Sequence, residues 1–338
     1  MIIIVDIAHP AHVNFFKGAL KRLKQEGHEV IITALRRGKL PRIVENELSE
    51  YPIHYVGRHR GSTFSIIVEA NLLKFFRLFW LVIRKKADFG LSVGSFNLGA
   101  ALTLMGKPNL QFDDDPERKM NVMLEKLTST RLYFPPIVEP HDNVENMRAL
   151  KEWAYLSPTY FQPQSEVLNG YGVLPRKYIF VREVSSGSLN YQSQDAHTVA
   201  SFAEQFPTGY PVILSLEDKE HRHLYPQDWL LLQEPVADIH SVLYYSSLVV
   251  SSGDSMAREG ALLGVPSIYV GVREMKANLL MIERKMLFKL SAKETASRIP
   301  HLIGNGQQQK KQAIFRENLR REWDDITDFV MQSVYQNA

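Results

Sequence analysis

Short apolar runs alternate with amphipathic stretches along the whole chain. Ile2–Asp6, Glu29–Thr33, Phe89–Val93, Leu110–Phe112 and Leu132–Phe134 are brief, mostly apolar and bounded by polar turns, which predicts strands. Val13–Glu26 and Glu117–Thr128 carry apolar residues at helical spacing. The rhythm breaks over Trp153–Pro175, where Pro158, Pro163, Gly170, Gly172 and Pro175 mark a linker. It then resumes. Tyr178–Arg182, Val212–Ser215, Trp229–Leu232, Leu248–Ser251 and Pro266–Val270 read as strands. Helices are expected near Ser193–Phe206, Ile239–Ser246, Ser255–Leu263 and Lys276–Lys285. One long helix, Gln308 to Tyr335, closes the chain with the apolar stripe Phe315, Leu319, Trp323, Ile326, Val330 and Val334. Strands alternating with helices predict βαβ units and parallel sheets. The expected architecture is two doubly wound, Rossmann-like α/β domains in tandem, residues 1–160 and 175–307, with helix 308–338 packing back on the first. Ligands of such sheets bind beyond the carboxyl ends of the strands. The chemistry is therefore expected in strand-to-helix loops, the two sets facing across a cleft.

Composition narrows the class. With 338 residues, the chain is long enough for two cores. Hydrophobic residues at 45% and charged residues at 23% exclude disorder and collagen-like structure. The lack of cysteine excludes disulfides, thiol catalysis and zinc–thiolate sites, and fits a reducing cytoplasm. A net charge of +3 makes no case for nucleic acid as a partner. The start, MIIIVDIAHP, has neither the basic n-region nor the cleavage site of a signal peptide. The most apolar segment, Leu72–Ile83, is shorter than the roughly 20 residues that span a bilayer, and Lys74 and Arg77 interrupt it. From Arg58 to Lys86, seven Lys/Arg face the single acid Glu69. On a helix, Lys74, Arg77, Arg84 and Lys85 form a polar stripe beside Leu, Phe, Trp and Ile. Two readings stand: a helix packed on the sheet with solvated cations, or a basic amphipathic helix lying on an anionic inner membrane.

The loop after Leu248–Val250 reads Ser251-Ser252-Gly253-Asp254-Ser255 and runs into a short helix that carries Arg258 and Glu259 and ends at Gly264-Val265-Pro266. Small residues let the backbone approach a ligand. A helix N-terminus adds unpaired N–H groups and a positive dipole end, which suits a diphosphate. Glu259, one turn inside, can accept both hydroxyls of a ribose. The plainer reading is a cap by Ser252 or Asp254, with Glu259 as surface charge.

Further loops carry candidates. The first strand leads into Ile7-Ala8-His9-Pro10-Ala11-His12. Two imidazoles there suit proton transfer near neutral pH, against the reading that Pro10 starts a helix and the histidines cap or pack it. Asp113, Asp114 and Asp115 follow another strand. They orient or deprotonate an acceptor hydroxyl, hold Mg²⁺, or in the case of Asp115 cap a helix begun by Pro116. The cap accounts for Asp115 and leaves Asp113 and Asp114 as site candidates. Arg182, in Arg182-Glu183-Val184-Ser185-Ser186-Gly187-Ser188, meets phosphate in a bidentate way or pairs with Glu183 or Glu217. Gln233-Glu234-Pro235 follows a further strand, and His221 and His223 read as solvated surface.

From Ser252 to Pro266 the chain resembles, without a gap, the donor loop of GT-B glycosyltransferases. It looks most like the bacterial UDP-GlcNAc transferases that make the lipid-linked peptidoglycan precursor. The resemblance places Glu259 on their ribose-holding Glu and Ser252-Gly253 on their phosphate turn. It sets His12 on the His of a Gly-Gly-His loop, whose glycines are here replaced by Ala8, His9, Pro10 and Ala11. Gly94-Ser95 falls on the turn that shapes the acceptor side, Asn121 near a later Asn, and Asn278 near the donor sugar. Ser186-Gly187 falls on a phosphate loop and Gln233 where the base is held. UDP-GlcNAc 2-epimerases have a similar loop, with Asp254-Ser255 here in place of Gly-Gly and Arg258 in place of a Glu. Over nearly its whole length the chain resembles an uncharacterised prokaryotic family of GT-B-like proteins (domain of unknown function 354). That family shares His-Pro-x-His-Val-x-Phe-Phe, here His9–Phe16, and Glu-x-Ala-Leu-Leu-Gly-x-Pro, here Glu259–Pro266.

These resemblances imply a GT-B fold and an inverting, metal-independent glycosyl transfer from a UDP-sugar in surface polysaccharide or glycolipid synthesis, in the cytoplasm or peripheral to the inner membrane. No cofactor is implied beyond the donor. The implied base is His12, His9, Asp113 or Asp114, and the acceptor is a saccharide or lipid-linked sugar. A UDP-N-acetylhexosamine 2-epimerase and a nucleotide-sugar-binding protein without catalysis are the alternatives.

Overall fold

The computed structural model describes residues 1–58, 71–187, 191, 194–233, 236, 238–303 and 306–338. They form two compact units, Met1–Tyr155 with Trp323–Ala338, and Leu156–Glu322. Part of the basic window, residues 59–70, lies outside the described residues, as do Ser188, Ser193 and Glu234-Pro235.

The first unit runs β1 (Ile2–Ile7), α1 (Pro10–Gln25), β2 (Glu29–Arg36), α2 (Leu40–Glu47), β3 (Ile53–Arg58), α3 (Leu73–Lys85), β4 (Phe89–Val93), α4 (Phe96–Leu104), β5 (Asn109–Phe112), α5 (Lys119–Thr128), β6 (Arg131–Phe134) and β7 (Val144–Asn146), ending near α6 (Trp153–Leu156). Its seven strands lie in the order β3-β2-β1-β4-β5-β6-β7. Val5 stands opposite both Ile32 and Leu91, in parallel register. Helices cover both faces of such a sheet, so β1, β2 and β4 read as continuous apolar runs rather than alternating ones. Ile4, Ile31, Leu78, Leu98 and Leu102 form the core beneath α3 and α4.

The second unit contains β8 (Ile179–Glu183), β9 (Val212–Leu216), β10 (Leu230–Leu231), α7 (Ile239–Tyr244), β11 (Leu248–Ser251), α8 (Asp254–Leu262), β12 (Ser267–Tyr269), α9 (Lys276–Glu283), β13 (Leu287–Lys289), α10 (Ala292–Ile303) and α11 (Gly306–Glu322). Its six strands lie in the order β10-β9-β8-β11-β12-β13, with Val250 opposite Val181 and Ile268. The last helix, α12 (Ile326–Asn337), belongs to the first unit. The strand order reverses between β1 and β4, and again between β8 and β11. At such switch points the neighbouring loops diverge and leave a crevice.

The expected closing helix is two helices. Trp323, Asp324 and Asp325 interrupt it, and Asp325 caps α12 by accepting from the Asp328 N–H at 3.1 Å. Only α12 belongs to the first unit; α11 belongs to the second. The helix expected near Ser193–Phe206 is a 3₁₀ turn over Ala200–Gln205, kinked at Phe202. Asp115 does not cap α5, which starts at Lys119. Arg118 folds back onto Asp113 and Asp115 and holds the intervening residues in a turn. Lys74 is not on a solvated stripe: it is 2% exposed.

Candidate functional site

Three loops of the first unit gather at its switch point. At the end of β1, Asp6 is fully buried. Lys74 Nζ lies 2.6 Å from its Oδ2, Ser95 Oγ donates to the same oxygen at 2.6 Å, and Thr33 Oγ1 donates to Oδ1 at 2.9 Å. Lys74 also donates to Ser95 Oγ at 2.8 Å. This buried knot ties β1, β2, α3 and the start of α4 together. Its cause is the need to neutralise a carboxylate removed from water.

His9 caps α1, its Nδ1 accepting from the Ala11 N–H at 3.2 Å. His12, 9% exposed, accepts at Nδ1 from the Ala8 N–H at 3.3 Å. A neutral His12 in this arrangement carries its proton on Nε2. Burial first, then His9, Lys151 and Lys74, hold the imidazole well below its ordinary pKa, while Asp114 opposes them. Asp114 in turn pairs with Lys151 at 2.7 Å.

Asp113 is a structural hub. It accepts from the backbone N–H of Asp114 at 2.8 Å and of Asp115 at 3.1 Å, and takes Arg118 with both oxygens at 2.9 Å. The Gly94 backbone is left-handed at φ +57°, and a Cβ there would lie 3.0 Å from Arg118 Nη2. Only glycine suits that turn. Glu125 completes the group. It is fully buried, and neither carboxyl oxygen has a hydrogen-bond partner among the described residues. Burial and the adjacent Asp113 push its carboxyl well above the usual range. Burial also raises Asp113, but Asp113 serves Arg118 and two amides, so Glu125 is the more readily protonated of the two. Asn121 lies half-buried in the first turn of α5.

In the second unit the loops after β8 and β11 are stitched together. Ser252 donates its N–H to the Arg182 carbonyl at 3.0 Å, and its Oγ accepts from the Val184 N–H at 2.9 Å. Gly253 is the N-cap of α8, and a Cβ there would meet Val184 Cγ1 at 2.6 Å. No side chain caps this helix, while Ser255 stands exposed in its first turn. Asp254, 1% exposed, turns inward. It bonds the Tyr191 hydroxyl, Arg273 at 3.1 Å and Arg258 at 3.8 Å. These partners neutralise the carboxylate beside the start of α8. Fully buried Arg258 also donates to Asn278 Oδ1 at 2.8 Å, so Asn278 is 2% exposed within this network. Glu259 keeps a partly open carboxylate 3.6 Å from His240 Nε2.

Arg182 donates to Ser215 Oγ at 3.1 Å and pairs with Glu217 at 3.4 Å. Of its two expected acidic partners, Glu217 is the one found. Ser186 and Gly187 form the adjoining turn, where Gly187 N–H donates to Ser185 Oγ at 3.2 Å, and Gln233 is exposed beyond β10. His221 lies 3.3 Å from Asp218 and stacks edgewise on His197. Among the described residues no three His, Asp or Glu side chains assemble into a metal-holding group. Lys74, Lys151, Glu125, Arg258, Arg273 and His240 enter these sites without having been singled out for them. Only Lys74, interrupting an apolar run, gives any local signal.

A family described as "Protein of unknown function (DUF354)" matches residues 1–129 and 143–338. An uncharacterized protein of Methanocaldococcus jannaschii is 21% identical over 350 residues, covering 98% of this chain and 96% of its own. Among solved structures, the glycosyltransferase VinC in complex with dTDP is similar over 99% of both chains, at 12% identity and a TM-score of 0.67. A co-structure of S. aureus MnaA with UDP matches 98% of this chain and 95% of its own, at 13% identity and a TM-score of 0.71. A putative UDP-N-acetylglucosamine 2-epimerase from Listeria monocytogenes matches 98% and 94%, at 12% identity and a TM-score of 0.68. The fold is thus of the GT-B class, as the resemblance implied.

Proposed function

This chain belongs to the family described as a protein of unknown function (DUF354), and on that premise we propose that it transfers a glycosyl group from a UDP-sugar to an acceptor hydroxyl with inversion. The observation that carries this reading is the start of α8, with no side-chain cap, beside Glu259, whose carboxylate is partly exposed. Unpaired amides at a helix start suit a diphosphate, and an acidic side chain one turn on suits a ribose. The likeness in fold to proteins solved with UDP and dTDP supports it.

His12 of the first unit takes the acceptor proton on Nδ1, giving up the Ala8 N–H that this nitrogen otherwise accepts. The acceptor oxygen bonds to the anomeric carbon as the bond to the diphosphate breaks. The α8 amides and Arg182, released from Glu217, hold the departing charge without a metal ion. Calorimetry with UDP tests the donor site. Glu259→Ala is expected to weaken UDP binding about tenfold to a hundredfold, the value of charge-assisted hydrogen bonds. Equal binding by the variant sinks the assignment. The 2-epimerase reading rests on the fold of the Listeria protein. Formation of the 2-epimer from UDP-GlcNAc without acceptor would establish it instead.

We further propose that the acceptor is lipid-linked and that the first unit meets it at an anionic membrane surface. Among the described residues no helix is long and apolar enough to cross a membrane. On α3, however, Leu73, Phe76, Trp80 and Ile83 are exposed, Trp80 at 56%. Arg84 lies over the Trp80 ring at 4.8 Å, and Arg77 and Lys86 are exposed nearby. An apolar, aromatic face rimmed by cations fits the boundary between headgroups and acyl chains. The protein is expected to sediment with phosphatidylglycerol vesicles and not with phosphatidylcholine vesicles. Trp80→Ser with Phe76→Ser is expected to abolish this. Self-association of the native chain, relieved by the same pair, would make the face a dimer contact instead.

A further inference from the structure

A cavity of about 380 Å³ opens in the second unit. It lies at the amino ends of the strands, opposite the carboxyl ends that carry the donor loops. Arg176 precedes β8, Gly264 joins α8 to β12, and Lys310 and Arg316 come from α11. Gly264 is left-handed at φ +76°, and a Cβ there would lie 3.4 Å from Ala313 Cα and Arg316 Cδ, so glycine lets α11 form the cavity wall.

The charges in this cavity do not balance. Arg176, Lys310 and Arg316 line it, and Glu317 is its one acidic wall residue. Glu317 already lies 3.9 Å from Arg320. Arg176 and Arg316 both reach the Tyr244 ring, with their guanidinium carbons 4.7 and 5.9 Å from its centre, and Arg316 is also 5.9 Å from the centre of Phe161. Neither has an ion pair with a carboxylate among the described residues. Their backbone acceptors are carbonyls: Ser246 at 3.0 Å for Arg176, and Leu262 at 3.1 Å and Leu156 at 2.8 Å for Arg316. Those carbonyls use one donor of Arg176 and two of Arg316, out of five on each guanidinium. Burial lowers both groups from their ordinary pKa, and Arg176 works against the charge of Arg316, which Tyr244 and Glu317 favour. Closing off the ends of α6, α7 and α8 explains the carbonyl contacts. It does not explain two cations brought to one ring with no anion between them.

We propose that this cavity binds a small organic phosphate monoester. Two planar guanidinium forks match the oxygens and double charge of such a group. The volume falls in the range of about 300–1,000 Å³ typical of organic ligands, so most of it remains for the rest of the molecule, which rests on Tyr244. The site is separate from the nucleotide loops, so it acts as an effector site and does not depend on the reading of α8.

The test is calorimetric titration of ribose 5-phosphate into the full chain, with and without saturating UDP. One equivalent is expected to bind in both cases. Arg176→Gln and Lys310→Gln are each expected to weaken binding about tenfold or more, the loss of one charge-assisted contact. Glu259→Ala, which reports on the donor site, is expected to leave it unchanged. Absence of saturable binding overturns the proposal. So does undiminished binding by both variants, and so does inorganic phosphate binding as tightly as the ester. Lys310 is exposed, so its variant carries the test if Arg176→Gln does not fold.

Discussion

Replacing Lys74 by methionine is expected to destabilise the first unit by about 3–5 kcal/mol, the cost of leaving a buried charge without its partner. Asp6 has no exposed surface, and its other partners are the hydroxyls of Ser95 and Thr33. Two neutral donors do not replace an ammonium at 2.6 Å. The variant keeps the volume of the side chain, so the loss is electrostatic and not a cavity effect. Urea unfolding followed by tryptophan fluorescence reads it, because Trp80, Trp153 and Trp323 lie in the first unit and Trp229 alone in the second. A fall in the midpoint at constant slope is a change in stability. The companion double variant Lys74→Met with Asp6→Asn is expected to recover much of the loss, since removing both charges of a buried pair costs far less than removing one. A single variant within 1 kcal/mol of the native chain, on the scale typical of surface pairs, would show that the Lys74–Asp6 pair does not hold the first unit together.

The same knot shows where reading the chain stops. The alternation of apolar runs predicts the strands of both switch points, and β1, β4, β8 and β11 all occur where their patterns lie. Parallel strands buried on both faces leave an unmistakable apolar run. What a run does not carry is the third dimension. Lys74 looked like one cation of a solvated stripe because helical periodicity shows spacing and not what faces it. Its partner is 68 residues away. Glu125 and Asp113 are brought together in the same way, by the packing of α5 against α4 and β6, and nothing local distinguishes Glu125 from a surface acid. Asp115 next to Pro116 carries every mark of a helix cap. Arg118 overrides that propensity because two carboxylates hold its guanidinium in place. The break at Trp323–Asp325 was legible after all: Asp325 three residues before Asp328 is a capping pattern. The continuous apolar stripe on either side concealed it. In the loop after β11, Ser252 and Gly253 are stitched to the loop after β8, and Glu259 keeps a partly open carboxylate. Asp254 and Asn278 lie in the same place but serve the fold of the loop through Arg258.

With His12 as the base, His12→Ala is expected to slow transfer about 10²–10⁴-fold, the usual worth of a positioned proton acceptor. UDP affinity is expected to stay unchanged, because the proposed donor loop lies in the second unit. The pH profile supplies the sharper reading. A base works only when unprotonated, and burial with neighbouring cations holds His12 well below 6.5. Activity is therefore expected to stay level from neutral pH through 6.5 and to fall only on the acid side of it. The neighbours fix the direction of further shifts. Lys151 lowers the imidazole pKa and Asp114 raises it. Lys151→Met should then move the acid limb to higher pH, and Asp114→Asn should move it to lower pH. The two shifts oppose each other although both variants break the same 2.7 Å pair, so general damage to the loop does not imitate them. His9 is expected to behave differently. Its Nδ1 holds the Ala11 amide, so His9→Asn keeps a capping acceptor and should leave the limb near its native place. If His12→Ala retains the native rate while Asp114→Asn abolishes transfer, the proton goes to Asp114, and His12 serves as the Nε2 donor that its bond from Ala8 already favours.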